Sequence, residues 1–210
     1  MFGVHASTRI GFILLPLCGG PFRAEPALAA TVVVHRTMMP ECGPSSFAIG
    51  LGPNLGLSFD PGRGGVNYVW QGDFVDLGPT WKAKINKPAE IRGTIVYRES
   101  RRYPLRSGRS DREPKFEFKG YTLLADAVEF QYLLDGVLVR EEIRATPDGC
   151  GVVRRFQTSE PVAGWSYAIE SQPGVAIASP GGAWNEARTA VTAPGGREFS
   201  LQIQLNAAQP

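Results

Sequence analysis

The chain has 210 residues, 25 of them Gly and 17 Pro, with a formal net charge of +2. Gly and Pro together exceed the roughly 12% usual in soluble proteins, which excludes a helical bundle. At 43% hydrophobic and 20% charged residues the chain is globular and not disordered. Its near balance of charge offers no field of one sign for nucleic acid.

In chain order, residues 1–29 read as a secretory signal. His5 and Arg9 precede the short apolar run Ile10–Leu17, and Ala27-Leu28-Ala29 fits a small-x-small cleavage site. A run of eight residues falls far short of the roughly 20 that cross a bilayer. Pro16, Pro21 and Pro26 argue against the alternative of a buried first strand. The expected location is therefore periplasmic or extracellular, and the expected protein is not integral to the membrane. Removing residues 1–29 leaves Cys42 and Cys150. In an oxidising compartment they form a disulfide or stay as two unpaired thiols; spacing alone decides neither.

From residue 30 onward the pattern is that of one β domain. Strand candidates are Thr31–His35, Phe47–Leu51, Leu57–Phe59, Val66–Trp70, Ile91–Tyr97 and Lys115–Leu123. Val128–Leu134 alternates apolar and polar residues and runs into Asp135-Gly136, the dipeptide of a type I′ hairpin, with Val137–Ile143 returning. Val152–Gln157, Trp165–Ile169, Val175–Ala178, Arg188–Thr192 and Phe199–Asn206 follow, separated by turn signals such as Pro180-Gly-Gly and Pro194-Gly-Gly. No convincing 3.6-residue period occurs. The expected fold is all-β, a large antiparallel β-sandwich or a twisted supersandwich, spanning residues 30–210.

The chemistry is narrowed by what is missing. Past residue 29 the one histidine is His35, set in the strand-like run Val-Val-Val-His-Arg, where a structural role is expected. There is no haem-attachment motif, phosphate loop or dinucleotide fingerprint, so no cofactor and no metal are expected. The densest feature is Val66–Trp81. Tyr68, Trp70 and Trp81 lie close in sequence to Gln71, Asp73 and Asp76, the pairing of ring faces with hydrogen-bonding groups that recognises sugars. The alternative places the tryptophans in the core with Asp76 holding a turn. Asp73 and Asp76 fall on opposite sides of an extended strand, which argues against a paired-acid site made of these two.

The stretch Arg98–Glu113 carries Arg98, Arg101, Arg102, Arg106, Arg109 and Arg112. Guanidinium forks bind carboxylates, so this segment is either a docking loop for an acidic partner or anionic polysaccharide, or a solvated loop.

Several spaced motifs carry a family resemblance. They are Arg36–Gly50, Tyr68–Asp76, Gly78-Pro-Thr-Trp81, Phe118–Thr122, Phe130-Gln-Tyr132, Asp135-Gly-Val137 and Val153-Arg-Arg-Phe156. Over about residues 36–160 the chain resembles an all-β module that accompanies c-type cytochrome domains in exported bacterial sugar-dehydrogenase-like proteins, common in planctomycete-type bacteria. The haem domain usually beside it is absent from this sequence. Asp73 stands where the module has Gly, which favours Asp76 for a shared role. The resemblance carries over no catalytic residues. It implies an exported, non-catalytic accessory module that binds a carbohydrate, a c-type cytochrome or a dehydrogenase subunit. Tyr68, Trp70, Gln71, Asp76 and Trp81 are the expected ligand face, and Arg98, Arg101, Arg102 and Arg106 the partner-docking set. Two other classes stay open. One is an exported lyase or hydrolase drawing on Asp76, Glu129, Glu141, Tyr97 and Arg102; the other is a structural subunit of an envelope electron-transfer complex.

Overall fold

The computed structural model describes residues 31–82, 87–108 and 112–205. The expected signal segment, residues 1–29, lies outside them. Five strands form a first antiparallel sheet in sequential order: β1 (Val32–Arg36), β2 (Phe47–Leu51), β3 (Leu55–Asp60), β4 (Gly65–Asp76) and β5 (Glu90–Arg98). A five-residue helix, α1 (Gly78–Lys82), follows β4. The remaining strands are β6 (Leu105–Ser107), β7 (Phe116–Leu123), β8 (Ala127–Leu134), β9 (Val137–Ala145), β10 (Gly151–Ala168), β11 (Val175–Ala178), β12 (Ala183–Trp184) and β13 (Ala190–Leu205). They build a second sheet in the order β11-β13-β10-β9-β8-β7, with β6 paired to β10 and β12 to β13. The two sheets pack together as an all-β sandwich.

Alternation of side chains places the core between them. Phe47, Ile49 and Leu51 of β2 and Leu57 and Phe59 of β3 meet Val128, Phe130 and Tyr132 of β8. The Phe59 and Phe130 rings stack with centroids 3.8 Å apart. A second cluster covers the opposite face of the first sheet, where Met39, Ala48, Tyr68, Trp70 and Ala89 pack together. It requires Gly56, because a Cβ there would lie 2.2 Å from the Trp70 ring. Both faces of β2 and β3 are consequently buried.

The Asp135-Gly136 turn has φ of 51° and 91°, the positive values of a type I′ turn, and closes Leu134 onto Val137. Two departures from the sequence expectations concern length. The segments 152–157 and 165–168 belong to one 18-residue strand, β10, which leaves out Ile169, and residues 190–205 form one 16-residue strand, β13. The two pair antiparallel from Gly151↔Gln204 to Ala168↔Ala190, with a register shift between Gln157 and Val162. Pro194-Gly195-Gly196 is therefore part of a strand and not a turn, since pairing with Val162–Gly164 holds the backbone extended. The elements β6, β12 and α1 are too short to leave a period in the sequence.

Cys42 and Cys150, the cysteines among the described residues, are free thiols, so no disulfide joins them. Cys42 sits against the first sheet, where Asn67 Nδ2 donates to its Sγ at 2.9 Å and Ser58 Oγ lies 3.2 Å away. Burial pushes this thiol up in pKa, outweighing the Ser58 hydrogen bond. Cys150 is exposed in the β9–β10 turn of the second sheet, its carbonyl accepting from Leu205 N.

Candidate functional site

The structure separates the residues expected to form an aromatic ligand face. Tyr68 and Trp70 are fully buried, Tyr68 OH donating to the Pro40 carbonyl at 3.0 Å and Trp70 Nε1 to the Asp73 carbonyl at 3.1 Å. Neither ring is available to a sugar, since Tyr68 and Trp70 point into the cluster behind the first sheet. Trp81, on α1, is 74% exposed and stands apart from them. Asp76 anchors the chain at the start of α1: its Oδ1 accepts from Gly78 N at 2.7 Å and its Oδ2 from Arg92 at 2.6 Å. The Gly78 amide, then Arg92, hold this carboxyl below the usual range. Gln71 lines a different cavity, between the β2–β3 and β9–β10 turns. His35 is a β1 residue whose ring lies 5.9 Å from that of Phe74.

The arginine segment is better organised than a free loop. Tyr103, with φ of 47°, lays its ring over Gly64, and its hydroxyl donates to the Gly62 carbonyl at 3.2 Å. This pins the segment to the β3–β4 turn. Arg102 lies over the Tyr103 ring at 5.4 Å and donates to the same Gly62 carbonyl at 3.1 Å. Arg106, on β6, is directly opposite Ser166 of β10 and donates to the Tyr103 carbonyl. Arg101 forms an ion pair with Glu170 at 3.0 Å.

Arg101, Arg102 and Arg106 thus converge on one cleft of about 620 Å³. Its other walls are hydroxyl and amide groups of Ser100, Ser166, Asn185, Thr189 and Thr192, with one carboxylate, Glu113, and the methyl groups of Ala168 and Ala190. Among the described residues, neither Arg102 nor Arg106 has a carboxylate within ion-pair reach. Partial burial lowers the Arg106 pKa, with Glu113 and Asp135 opposing it. Arg98 does not join this group. It lies over Tyr68 and pairs with Glu41 at 2.7 Å. Of the four arginines expected to dock a partner, three share the cleft.

The acid–base candidates are likewise dispersed. Glu141 is fully buried between the sheets, accepting from Arg154 Nε at 2.7 Å and from Tyr132 OH at 3.0 Å. Arg154 also donates to Tyr167 OH. Tyr97 is buried beside them and donates to Glu99 at 2.8 Å. Burial raises Glu99 to a pKa of about 7, against the opposing Tyr97 hydrogen bond and the Arg154 charge. Burial alone would lower the Arg154 pKa, but Glu141, Tyr167 and Tyr132 raise it above the usual value. Glu129 lies on the outer face of β8, remote from Asp76 on the first sheet. The buried network is structural: a guanidinium and a carboxylate on neighbouring strands of one sheet neutralise each other out of reach of substrate.

Its signal was present in the sequence. Glu141 stands between Val139 and Ile143, and Arg154 between Val152 and Phe156, each in the inward phase of its strand. The hydroxyl wall of the cleft carries no such signal, because Ser166, Thr189 and Thr192 are ordinary outward strand and turn residues until the chain folds. Searches against protein-family models and against curated proteins returned no match to this chain.

Proposed function

We propose that this protein is an exported, non-catalytic binding module whose arginine cleft holds an acidic carbohydrate. The observation that carries the reading is the convergence of Arg101, Arg102 and Arg106 on a concave site whose other walls are mostly hydroxyl and amide side chains, with one carboxylate. A uronate supplies both partners that such a site needs. Its carboxylate accepts from the guanidinium forks, and its hydroxyls exchange hydrogen bonds with serine, threonine and asparagine side chains. Concavity favours a sugar over the flatter face of a protein partner, and the ring of Tyr103 holds Arg102 in place at the rim.

Titration calorimetry of the purified protein with an aldobiouronic acid, a disaccharide carrying one glucuronate, tests this. Arg102→Ala and Arg106→Ala should each weaken binding about tenfold or more, the cost of a charge-assisted hydrogen bond. Affinity should fall as salt rises. Binding that ignores both substitutions, or no binding by the unaltered protein, overturns the reading. Retention of a c-type cytochrome or dehydrogenase by the immobilised protein, lost in the same variants, would instead assign the cleft to an acidic protein surface.

A further inference from the structure

A second cavity lies on the same sheet. The outward residues of β8, β9, β10 and β13 are in register as two polar rows, each four strands wide. One row is Gln131, Arg140, Gln157 and Glu198; the other is Glu129, Glu142, Arg155 and Ser200. Arg140, Arg155, Gln157, Glu198 and Ser200, together with Glu129 and Glu142, line a groove of about 460 Å³ that Pro180 also borders. The local pairing leaves these groups unspent. Arg155 stands opposite Glu142, yet Glu142 is taken by Arg144, at 2.7 Å. Glu129 accepts from Gln131 at 2.9 Å. Among the described residues Arg140, Arg155, Gln157 and Glu198 make no side-chain hydrogen bond or ion pair.

Strand β13 connects this groove to the arginine cleft. Ser200 in the groove and Thr192 in the cleft are eight residues apart on one strand, so they project from the same side. At about 3.3 Å per residue the two are roughly 26 Å apart. The alternation of β13 carries across the register shift, which affects β10.

We propose that the groove is a second subsite, for the neutral hydroxyl-rich part of the same ligand, which is therefore an extended polysaccharide and not a single sugar. This deepens the reading of the cleft and rests on it for the acidic end. Two arginines against the three glutamates Glu129, Glu142 and Glu198, with the Gln157 amide beside them, give donors and acceptors in nearly balanced charge. That combination suits vicinal hydroxyls and offers no excess of positive charge to a chain bearing a carboxylate on every sugar. Occupying both sites with one chain makes the second contact intramolecular and raises the overall affinity without any new contact in the cleft.

The test compares three probes by calorimetry: the aldobiouronic acid, a glucuronoxylan decasaccharide carrying one glucuronate, and a neutral xylan decasaccharide. The acidic decasaccharide should bind at least tenfold more tightly than the disaccharide, and Arg140→Ala with Arg155→Ala should reduce that ratio to about one. Both positions are exposed, so the double variant is expected to fold. Equal affinity of the two acidic probes overturns the subsite, as does an enhancement that survives the double substitution. Failure of the disaccharide alone to bind removes the cleft reading and leaves the groove to the neutral decasaccharide. Binding of that probe, lost in the double variant, supports the groove, and no binding overturns it.

Discussion

At the scale of single residues, the most consequential groups are those that ionise inside the sandwich. Glu141 and Arg154 are both essentially inaccessible, and each is the charge that makes the other tolerable. Removing one partner leaves a buried charge without compensation, so Glu141→Gln should lower unfolding free energy by about 3–5 kcal/mol. Urea unfolding at neutral pH measures this. Glu99 is a different case, because its folded-state pKa is raised, from an ordinary 4.5 to about 7. The folded protein binds this proton more tightly than the unfolded chain does. Its contribution to stability is therefore complete below about pH 4.5 and is lost as pH rises to about 7, an amount of about 3 kcal/mol. Urea unfolding between pH 4.5 and 7.5 should show that decline in the unaltered protein and a flatter profile in Glu99→Gln. An equal slope in both would place the titration elsewhere.

At the scale of elements, β4 and α1 show how one run of sequence serves two purposes. Trp70 is buried on the face of β4 turned away from the second sheet and is wedged over Gly56, while Trp81 stands in water on α1. Trp70→Ala should cost about 3–5 kcal/mol, the usual penalty for emptying a large aromatic site. Trp81→Ala should change stability by no more than about 0.5 kcal/mol. Thermal unfolding of the two variants side by side checks the contrast. The clustering of Tyr68, Trp70 and Trp81 in sequence suggested one face, and it misled for a simple reason. Sequence proximity says nothing about the segment that covers a sheet from behind, here Met39 and Ala89. By contrast, the hairpin at Asp135-Gly136 was fully legible, because positive φ at two successive positions is a local demand that few residue pairs meet. The long β10–β13 ribbon was half legible. Its apolar ends alternate, whereas its middle, residues 158–161 and 194–197, overhangs the core and loses the pattern.

At the scale of the whole molecule, a single apolar cluster draws residues from both sheets, from Phe47 and Tyr97 on the first to Ile203 on the second. Neither sheet can keep its inner face dry without the other. The protein should therefore unfold in one step, with tryptophan fluorescence and far-ultraviolet circular dichroism giving coincident urea transitions. Distinct midpoints for the two signals would show that the ribbon or one sheet melts independently. The same packing assembles the arginine cleft. Its guanidiniums come from one segment, 101–106, but its hydroxyl wall comes from β10, β13 and the turn before β13.

The sequence by itself determined the fold class, most strand positions, the type I′ hairpin and the arginine-rich segment. All of these follow from period-two alternation, local backbone preference or composition, which act within a few residues. Tertiary structure alone decided that Tyr68 and Trp70 are core, that Cys42 and Cys150 stay free thiols, that Arg98 leaves the other arginines, and that the cleft and the groove share a face. Each of these depends on which strand lies beside which, and strand order is set by the burial of apolar area across long separations in the chain.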